Sequence, residues 1–453
     1  MREVIILAAG AGSKLFPFDA VGSKTMRPAA NMPLIAWNIR ALREVTAARV
    51  HIVTQKRYFG AIAGYFEAWE GVHVHICAPG LGSADTLYEG MRLAQGDTFL
   101  ILNGDTVVDP DTLRAFYAQE APAALLYPVR TRASDWICAR AENGALAAVG
   151  AHHRGEQMTH QIAALVMPRA FERTLLCTPE YFPDMKVGEG APCERYVEAA
   201  LARFLESGAV RAVEGTGVYC DVDKPWHLLE ANRALVALRC GALTDSSAGT
   251  GSAISDSADI RGHVLLGKNA YIGKNVRVDG NLIVGDDTVI DNGAVFMGDA
   301  VVGSRARVRN YCQIYDGCTI GDDCIVDHAA EFLGGMLMNR TYLYHYGEIY
   351  GAVGASVDIG AGTVCGTLRF DDGETTHRIG GRRERAGAFA NAVYIGDYCR
   401  TGVGTVFLPG AKVGAYSVLA PGAVIGGDIP ANSCVELKQE LKITAWGPER
   451  YGW

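Results

Sequence analysis

Residues 264–278 read Val264-Leu265-Leu266-Gly267-Lys268-Asn269-Ala270-Tyr271-Ile272-Gly273-Lys274-Asn275-Val276-Arg277-Val278. Large apolar residues stand six apart at Leu266, Ile272 and Val278, with the smaller Ala270 and Val276 in between. Followed outward, the series begins at Ile254 and Ile260. It runs unbroken through Val284, Ile290, Phe296, Val302, Val308, Ile314, Ile320 and Val326 to Phe332. It resumes in Val353, Ile359 and Cys365, and again in Ile395, Thr401, Phe407, Val413, Leu419 and Ile425. A six-residue period sustained this long predicts a parallel β-helix, in which each repeat is one short strand and turn and three repeats close a coil. Glycine after the large residue, as at Gly267, Gly273, Gly285, Gly303 and Gly321, is expected to serve the tight corner. Cys312, Cys318, Cys324 and Cys399 fall in the small inward slot and read as packing residues. Segments 334–350 and 366–393 break the period and are expected to leave the solenoid as loops, where function concentrates.

Upstream of the repeat the pattern differs. Val4-Ile5-Ile6-Leu7, Val50-His51-Ile52-Val53, Phe99-Leu100-Ile101-Leu102 and Ala124-Leu125-Leu126-Tyr127 read as buried strands, with helices over 34–45 and 84–94. Strand and helix in alternation predict an α/β domain, a doubly wound, mostly parallel, Rossmann-like sheet that binds ligands at the carboxyl ends of its strands. The expected organisation is a sheet domain over 1–240, a linker over 241–253, the β-helix over 254–434 and a tail over 435–453. The 54 glycines divide between strand ends of the first domain and the repeat.

The chain of 453 residues carries a formal net charge of -8, so it lacks the positive field that phosphate-backbone binding needs and no nucleic-acid partner is expected. No apolar run is long enough to span a membrane. Twelve cysteines without a CxxC pair, and no secretory leader, predict free thiols and a cytoplasmic location.

The first strand runs directly into Leu7-Ala8-Ala9-Gly10-Ala11-Gly12-Ser13-Lys14, where glycines let backbone amides approach an anion closely. Gly22-Ser23-Lys24-Thr25-Met26-Arg27-Pro28 follows, ending in Asn31-Met32-Pro33-Leu34-Ile35. Together these resemble the signature of the nucleotide-sugar pyrophosphorylases, LAAGxGxRxxPxT and PKxxxPVxNxPLI. Gly82-Ser83-Ala84-Asp85-Thr86-Leu87 is similar to that family's GTAxAL turn, and Leu102-Asn103-Gly104-Asp105 to its GD motif. Tyr219-Cys220-Asp221-Val222-Asp223-Lys224-Pro225, with Leu229-Glu230-Ala231-Asn232, resembles W-x-D-[IV]-G-[TK]-P and LLEAN.

The resemblance implies nucleotidyl transfer from an NTP, UTP or dTTP favoured, to a sugar 1-phosphate with release of pyrophosphate. It implies Leu7, Ala8, Ala9, Gly10, Gly12, Gly82 and Ser83 against the nucleotide and Mg2+ on Asp105 and Asp221. It also implies Lys14 on the leaving phosphates and Lys24 on the reacting ones. Two carboxylates ending separate strands suit a hard cation that also takes phosphate oxygens. Three departures stand out: Lys14 replaces an arginine, Ser23 replaces a proline, and the family's E-K-P motif has no clear counterpart. The equivalent stretch places His152 and Gln161 as sugar-binding candidates.

The second half resembles the left-handed β-helix of bifunctional sugar-1-phosphate nucleotidylyltransferase/acetyltransferases. Met338-Asn339-Arg340-Thr341-Tyr342-Leu343-Tyr344-His345 is similar to M-N-K-T-x-x-P-H, Gly360-Ala361-Gly362-Thr363 to GAGT and Leu368-Arg369-Phe370-Asp371 to LRFD. The resemblance implies acetyl-CoA as co-substrate, His345 as the base on an amino-sugar 1-phosphate, Glu331 as a sugar ligand, and a homotrimer or dimer of trimers. Leu333 and Asp358 stand where a lysine and an asparagine are expected. Three readings stay open at this point: a nucleotidylyltransferase that is also an acetyltransferase, one whose β-helix serves assembly only, and a catalytically silent regulatory subunit.

Overall fold

A computed structural model of the chain describes residues 1–78, 82–129, 136–151, 158–180 and 194–447. The first domain runs β1 (Arg2–Ala8), β2 (Pro28–Ala29), β3 (Met32–Pro33), α1 (Leu34–Arg43), β4 (Val50–Gln55), α2 (Lys56–Phe66), β5 (Val72–Cys77), α3 (Ser83–Leu93), β6 (Thr98–Asn103), β7 (Thr106–Val108) and α4 (Pro110–Tyr117). It continues through β8 (Ala123–Pro128), β9 (Ile137–Glu142), β10 (Ala145–Ala151), β11 (His160–Pro168), α5 (Phe171–Cys177), α6 (Val197–Leu205), β12 (Arg211–Glu214), β13 (Tyr219–Asp221) and α7 (Pro225–Gly241). The main sheet has the order β5-β4-β1-β6-β11-β8-β12-β10-β9. β4, β5 and β6 lie parallel to their neighbours around β1, as the buried apolar runs predict. Beyond β6 the sheet turns mixed, since β11 pairs antiparallel with both β6 and β8. β7 and β13 form a separate antiparallel pair that sets Asp221 opposite Thr106.

The solenoid follows the period. Ile254 pairs with Ile272, Val278 with Phe296 and Ile290 with Val308, always eighteen residues on, so each core side chain lies over its counterpart in the next coil. Cys312, Cys318, Cys324 and Cys399 are fully buried in that core, and their thiols contact backbone carbonyls such as Met338 and Gly414. The strand Ser247–Ala248 already pairs with Val264–Leu266, so the first coil begins inside the segment expected as a linker.

Two expectations are corrected. The glycines after the large residue do not make the corners. A Cβ on Gly267 would fall 2.7 Å from the Gly285 backbone, and one on Gly285 2.6 Å from that of Gly303, so they permit close stacking of coils. The left-handed corner conformation belongs instead to Asn269, Asn275, Asp287, Asn292 and Asp323, side chains that tolerate it. The segment 334–350 is not a loop either. It stays in the ladder as Glu331–Leu337, Tyr342–Leu343 and Glu348–Val353, and the coil only tightens, pairing Val326 with Leu343 and Leu343 with Ile359. The second break, 366–393, does depart: Val353 pairs next with Ile395, and the intervening chain forms the hairpin Thr376–Ile379 with Arg382–Arg385.

The two halves share one core, in which Leu34, Trp37 and Leu228 pack in a cluster with Met336, Met338, Ala352 and Tyr394 of the β-helix. Asn232 of α7 fastens this junction. Fully buried, it accepts from the Ala30 amide at 2.9 Å and donates to the Gly317 and Gly335 carbonyls at 3.2 Å each. Among the described residues no helix is long and apolar enough to cross a membrane.

Asn232→Ala leaves a buried amide without its acceptor and is expected to cost about 3 kcal/mol, measured by urea unfolding. A second expectation concerns acid. His51 of β4 lies beside His73 and His75 of β5, Glu3 of β1 and Arg49. Burial pushes its imidazole down to about 4 against the pull of Glu3, with His75, His73 and Arg49 adding to the depression. The folded state holds this proton less tightly than the unfolded chain, so stability present above about pH 6.5 is lost as pH falls towards 4. The melting temperature of the protein should fall across that window, and His51→Gln should flatten the fall.

Candidate active site

The ends of β1, β6 and β13 converge on one charged cluster. β1 delivers the 8–14 loop, in which Gly12 adopts a left-handed φ of 69° and a Cβ would sit 3.2 Å from that of Lys24. β6 ends at Asn103, and the next turn carries Asp105. Gly104 donates to the Leu7 carbonyl at 2.9 Å, and a Cβ there would meet Thr25 at 2.9 Å, so this turn passes close to both lysine loops. β13 delivers Asp221, and the Val222 amide donates to the Asp105 carbonyl at 3.1 Å. Lys24 opens a short 3-10 turn, Lys24–Met26, whose start is fixed by Ser23: its hydroxyl accepts from the Thr25 amide at 3.3 Å and shares a hydrogen bond with the Thr25 hydroxyl at 3.0 Å. The serine in place of the family's proline therefore acts as a cap.

Lys24 is nearly buried and pairs directly with Asp105 and, at 3.5 Å, with Asp223. Lys14, half exposed, donates to the other Asp223 oxygen at 3.2 Å. Burial works against the Lys24 ammonium, but Asp105 and Asp223 outweigh it and hold its pKa above the usual lysine value. Burial likewise opposes the Asp223 carboxylate, and Lys24 and Lys14 overcome it, bringing it down to about 2. Asp221 shows the reverse. Burial first, and then the Asp105 charge, push its carboxyl well above the usual carboxylate range. A buried acid that resists ionisation beside a second carboxylate is a site short of positive charge. Asp105 and Asp221 are thus the pair that could hold a divalent cation. Among the described residues no group of three or more ligating side chains exists, so such a cation would complete its shell with water and phosphate oxygens.

Asp223 and Lys224 were not singled out from the sequence, although the signal was there. Asp223 stands where the family motif has glycine, a departure that supplies the partner of both lysines. Other expectations place less cleanly. Gly82 packs on backbone, with a Cβ falling 2.0 Å from the Arg195 carbonyl oxygen, and the Ser83 hydroxyl accepts from the Val197 amide at 2.9 Å. Leu7 and Ser83 line an apolar cleft of about 50 Å3 together with Asn103, Ile162 and Glu198. Gln161 is buried on β11 opposite Tyr127, whose ring stacks on Tyr219 at 4.7 Å. His152 lies outside the described residues.

In the β-helix, His345 is exposed at a corner with a φ of 50°. His328 is also exposed and stands edge-on to it with ring centroids 4.4 Å apart. The two histidines stand seventeen positions apart, the length of one tightened coil. Glu331 is paired in register with Glu348, whose carboxyl is pushed up by burial and by the Glu331 charge. Leu368 and Phe370 of the LRFD-like stretch are exposed, Phe370 completely, while Arg369 and Asp371 pair with each other at 2.7 Å.

Comparison with known proteins agrees with this geometry. Residues 4–177 match the MobA-like NTP transferase domain, and residues 392–427 match the bacterial transferase hexapeptide (six repeats). The ladder of parallel strands with these repeats fits a left-handed β-helix. The chain is 29% identical over 443 residues to the bifunctional protein GlmU of Methanococcus maripaludis strain C7, covering 98% of this chain and 99% of that protein. It is 26% identical over 451 residues to the bifunctional protein GlmU of Methanococcus vannielii, covering 97% and 99%. Over 232 residues it is 27% identical to a bifunctional sugar-1-phosphate nucleotidylyltransferase/acetyltransferase of Sulfurisphaera tokodaii, covering 51% and 52%.

Removing Lys24 leaves Asp105, Asp221 and Asp223 with Lys14, paired to Asp223 alone, as the remaining cation of the cluster. Lys24→Met is expected to destabilise the protein by about 3 kcal/mol at neutral pH, read by thermal or denaturant unfolding. The deficit should shrink as pH is lowered and the aspartates protonate.

Proposed function

We propose that the first domain transfers a nucleotidyl group from an NTP, UTP or dTTP favoured, to a sugar 1-phosphate, and that the β-helix N-acetylates an amino-sugar 1-phosphate with acetyl-CoA. The cluster of Lys14, Lys24, Asp105, Asp221 and Asp223 carries the first reading. An oxygen of the sugar phosphate attacks the α-phosphorus, a new P–O bond forms, the bond to the bridging oxygen breaks and pyrophosphate leaves. No covalent protein intermediate is needed, so the site has to align two anions and offset their charge. Mg2+ on Asp105 and Asp221 would supply charge stabilisation on the phosphates. Lys24, exchanging Asp105 for phosphate, and Lys14 at the rim would supply the rest. The amides after β1 hold the nucleotide, with Gly12 admitting the close approach of Lys24.

For acetyl transfer, His345 accepts the proton of the sugar amine as nitrogen attacks the thioester carbonyl and the thiol departs. Its exposed position beside His328 gives a base within reach of a substrate lying along the coil corner. Exposure of Leu368 and Phe370 supports assembly into a homotrimer or dimer of trimers that would cover them. The division at about residue 240, and the cytoplasmic location, belong to the same reading.

Incubation with Mg2+, a panel of NTPs and sugar 1-phosphates, with pyrophosphate measured, tests the first activity. Absence of pyrophosphate on the whole panel from folded protein would favour the silent subunit. Asp105→Ala should lower pyrophosphate release by about 10^3-fold or more while sparing thiol release from acetyl-CoA. His345→Ala should do the opposite, by about 10^2 to 10^4-fold. Full thiol release from His345→Ala would remove the base assignment.

A further inference from the structure

The charged cluster sits on two short segments, the turn around Lys24 and the strand end at Asp221 to Asp223, and each is tied to the β-helix by an ion pair whose cation is buried. Arg27 lies three residues after Lys24, and its amide closes the same turn by donating to the Lys24 carbonyl at 3.1 Å. Its guanidinium donates to the Phe18 carbonyl at 2.6 and 3.1 Å and to the Val21 carbonyl at 2.5 Å, gathering the loop that leads to Lys24. The same group then crosses to Asp397 of the solenoid, with Nη1 donating to Oδ1 at 3.0 Å and Nη2 lying 2.8 Å from Oδ2. Asp397 is itself held, accepting from the Ala355 amide at 2.8 Å. The neighbouring Gly396 abuts the Pro17 carbonyl, where a Cβ would approach to 2.8 Å.

The second tie is built from a different part of the solenoid. Lys224 follows Asp223 directly and precedes α7, and it pairs with Glu384 on the hairpin that leaves the solenoid between Val353 and Ile395. His377 of that hairpin lies 5.2 Å from the Trp226 ring, and its ring nitrogen bonds the Ala390 carbonyl at 2.8 Å, so the first strand of the hairpin is held as well as the second. Arg27 and Lys224 are 6% and 5% exposed. Burying two cations across a domain junction gains little stability over an apolar contact, but it fixes direction and register.

We propose that Arg27–Asp397 and Lys224–Glu384 are positioning pairs, through which the β-helix sets the separation of Lys24 from Asp221 and Asp223. This rests on the nucleotidyl-transfer reading of that cluster. The hairpin and the Asp397 coil then belong functionally to the first domain's site, although neither touches substrate.

The test uses full-length Glu384→Gln and Asp397→Asn, amide hydrogen exchange followed by mass spectrometry, and pyrophosphate release with Mg2+ and UTP or dTTP. Glu384→Gln should speed exchange in 219–224 and leave 22–27, β1 and β4 unchanged, while Asp397→Asn should speed exchange in 22–27 alone. Each should lower kcat by about tenfold with a smaller change in KM, and Lys224→Glu combined with Glu384→Lys should recover most of it. If Asp397→Asn does not fold, Arg27→Gln combined with Asp397→Asn leaves no unpaired charge and serves the same measurement. Unchanged exchange in both segments overturns the proposal, as does faster exchange throughout β1 and β4, which would make the pairs supports of the fold. If the unaltered protein releases no pyrophosphate on the panel, the functional reading fails, and the local exchange pattern still decides the positioning claim.

Discussion

Everything in the C-terminal half depends on one packing constraint: a residue and its counterpart one coil later must occupy the same place. With parallel strands about 4.8 Å apart, only residues that tolerate a duplicate directly above them survive at each position. That explains the columns seen here. Gly267, Gly285, Gly303 and Gly321 stack because a Cβ would strike the next backbone. The residue after each closes the ladder, as Lys268 donates its amide to Asp286 at 2.7 Å and Ser304 its amide to Asp322 at 2.8 Å. A separate column, Gly317 and Gly335, presents its buried backbone carbonyls to Asn232 of α7. The first domain is therefore fastened to the solenoid partly through turn backbone, alongside the shared apolar core and the two ion pairs.

That fastening bears on the charged site. A cluster containing Lys14, Lys24, Asp105, Asp221 and Asp223 holds three carboxylates against two ammonium groups. In a buried setting such an arrangement is stable only while its spacing is held, because the carboxylates repel one another as strongly as they attract the lysines. Burial first, and then the Asp105 charge, raise the pKa of Asp221, while two residues on Lys24 and Lys14 overcome burial and lower that of Asp223. A loop free to relax would separate the carboxylates and lose the site. The two pairs reaching in from the β-helix act on that freedom.

The sequence made the architecture legible because a period leaves a trace in every repeat. Fourteen large residues at spacing six admit few other readings. Lys24, Asp105 and Asp221 were picked out by resemblance to known motifs, and the structure brings the three into one cluster. What escaped was of two kinds. The antiparallel β11 between β6 and β8 carries the same apolar run as a parallel strand would, so direction is invisible. The partners Asp397 and Glu384 lie some 370 and 160 residues from the cations they meet, and pairing at that range has no periodic signature. The segment 334–350 misled because losing one residue from a coil breaks the period without breaking the ladder.

The departures from the family pattern are best read together. Taken singly, Lys14 for arginine weakens an anion contact, since an ammonium is a point charge where a guanidinium is a fork. Asp223 for glycine adds a negative charge where phosphates must come, which alone would oppose binding. In the structure these two residues face each other at 3.2 Å, and Asp223 also reaches Lys24. The aspartate holds Lys14 at the rim and helps to keep the buried Lys24 ammonium charged, while Lys14 screens the aspartate from an arriving anion. A flexible lysine can let go of Asp223 when phosphate competes for it, whereas a bidentate arginine pair would be harder to break. In this chain Lys14 and Asp223 therefore act as one unit, an ammonium held by a contact that an arriving phosphate can replace.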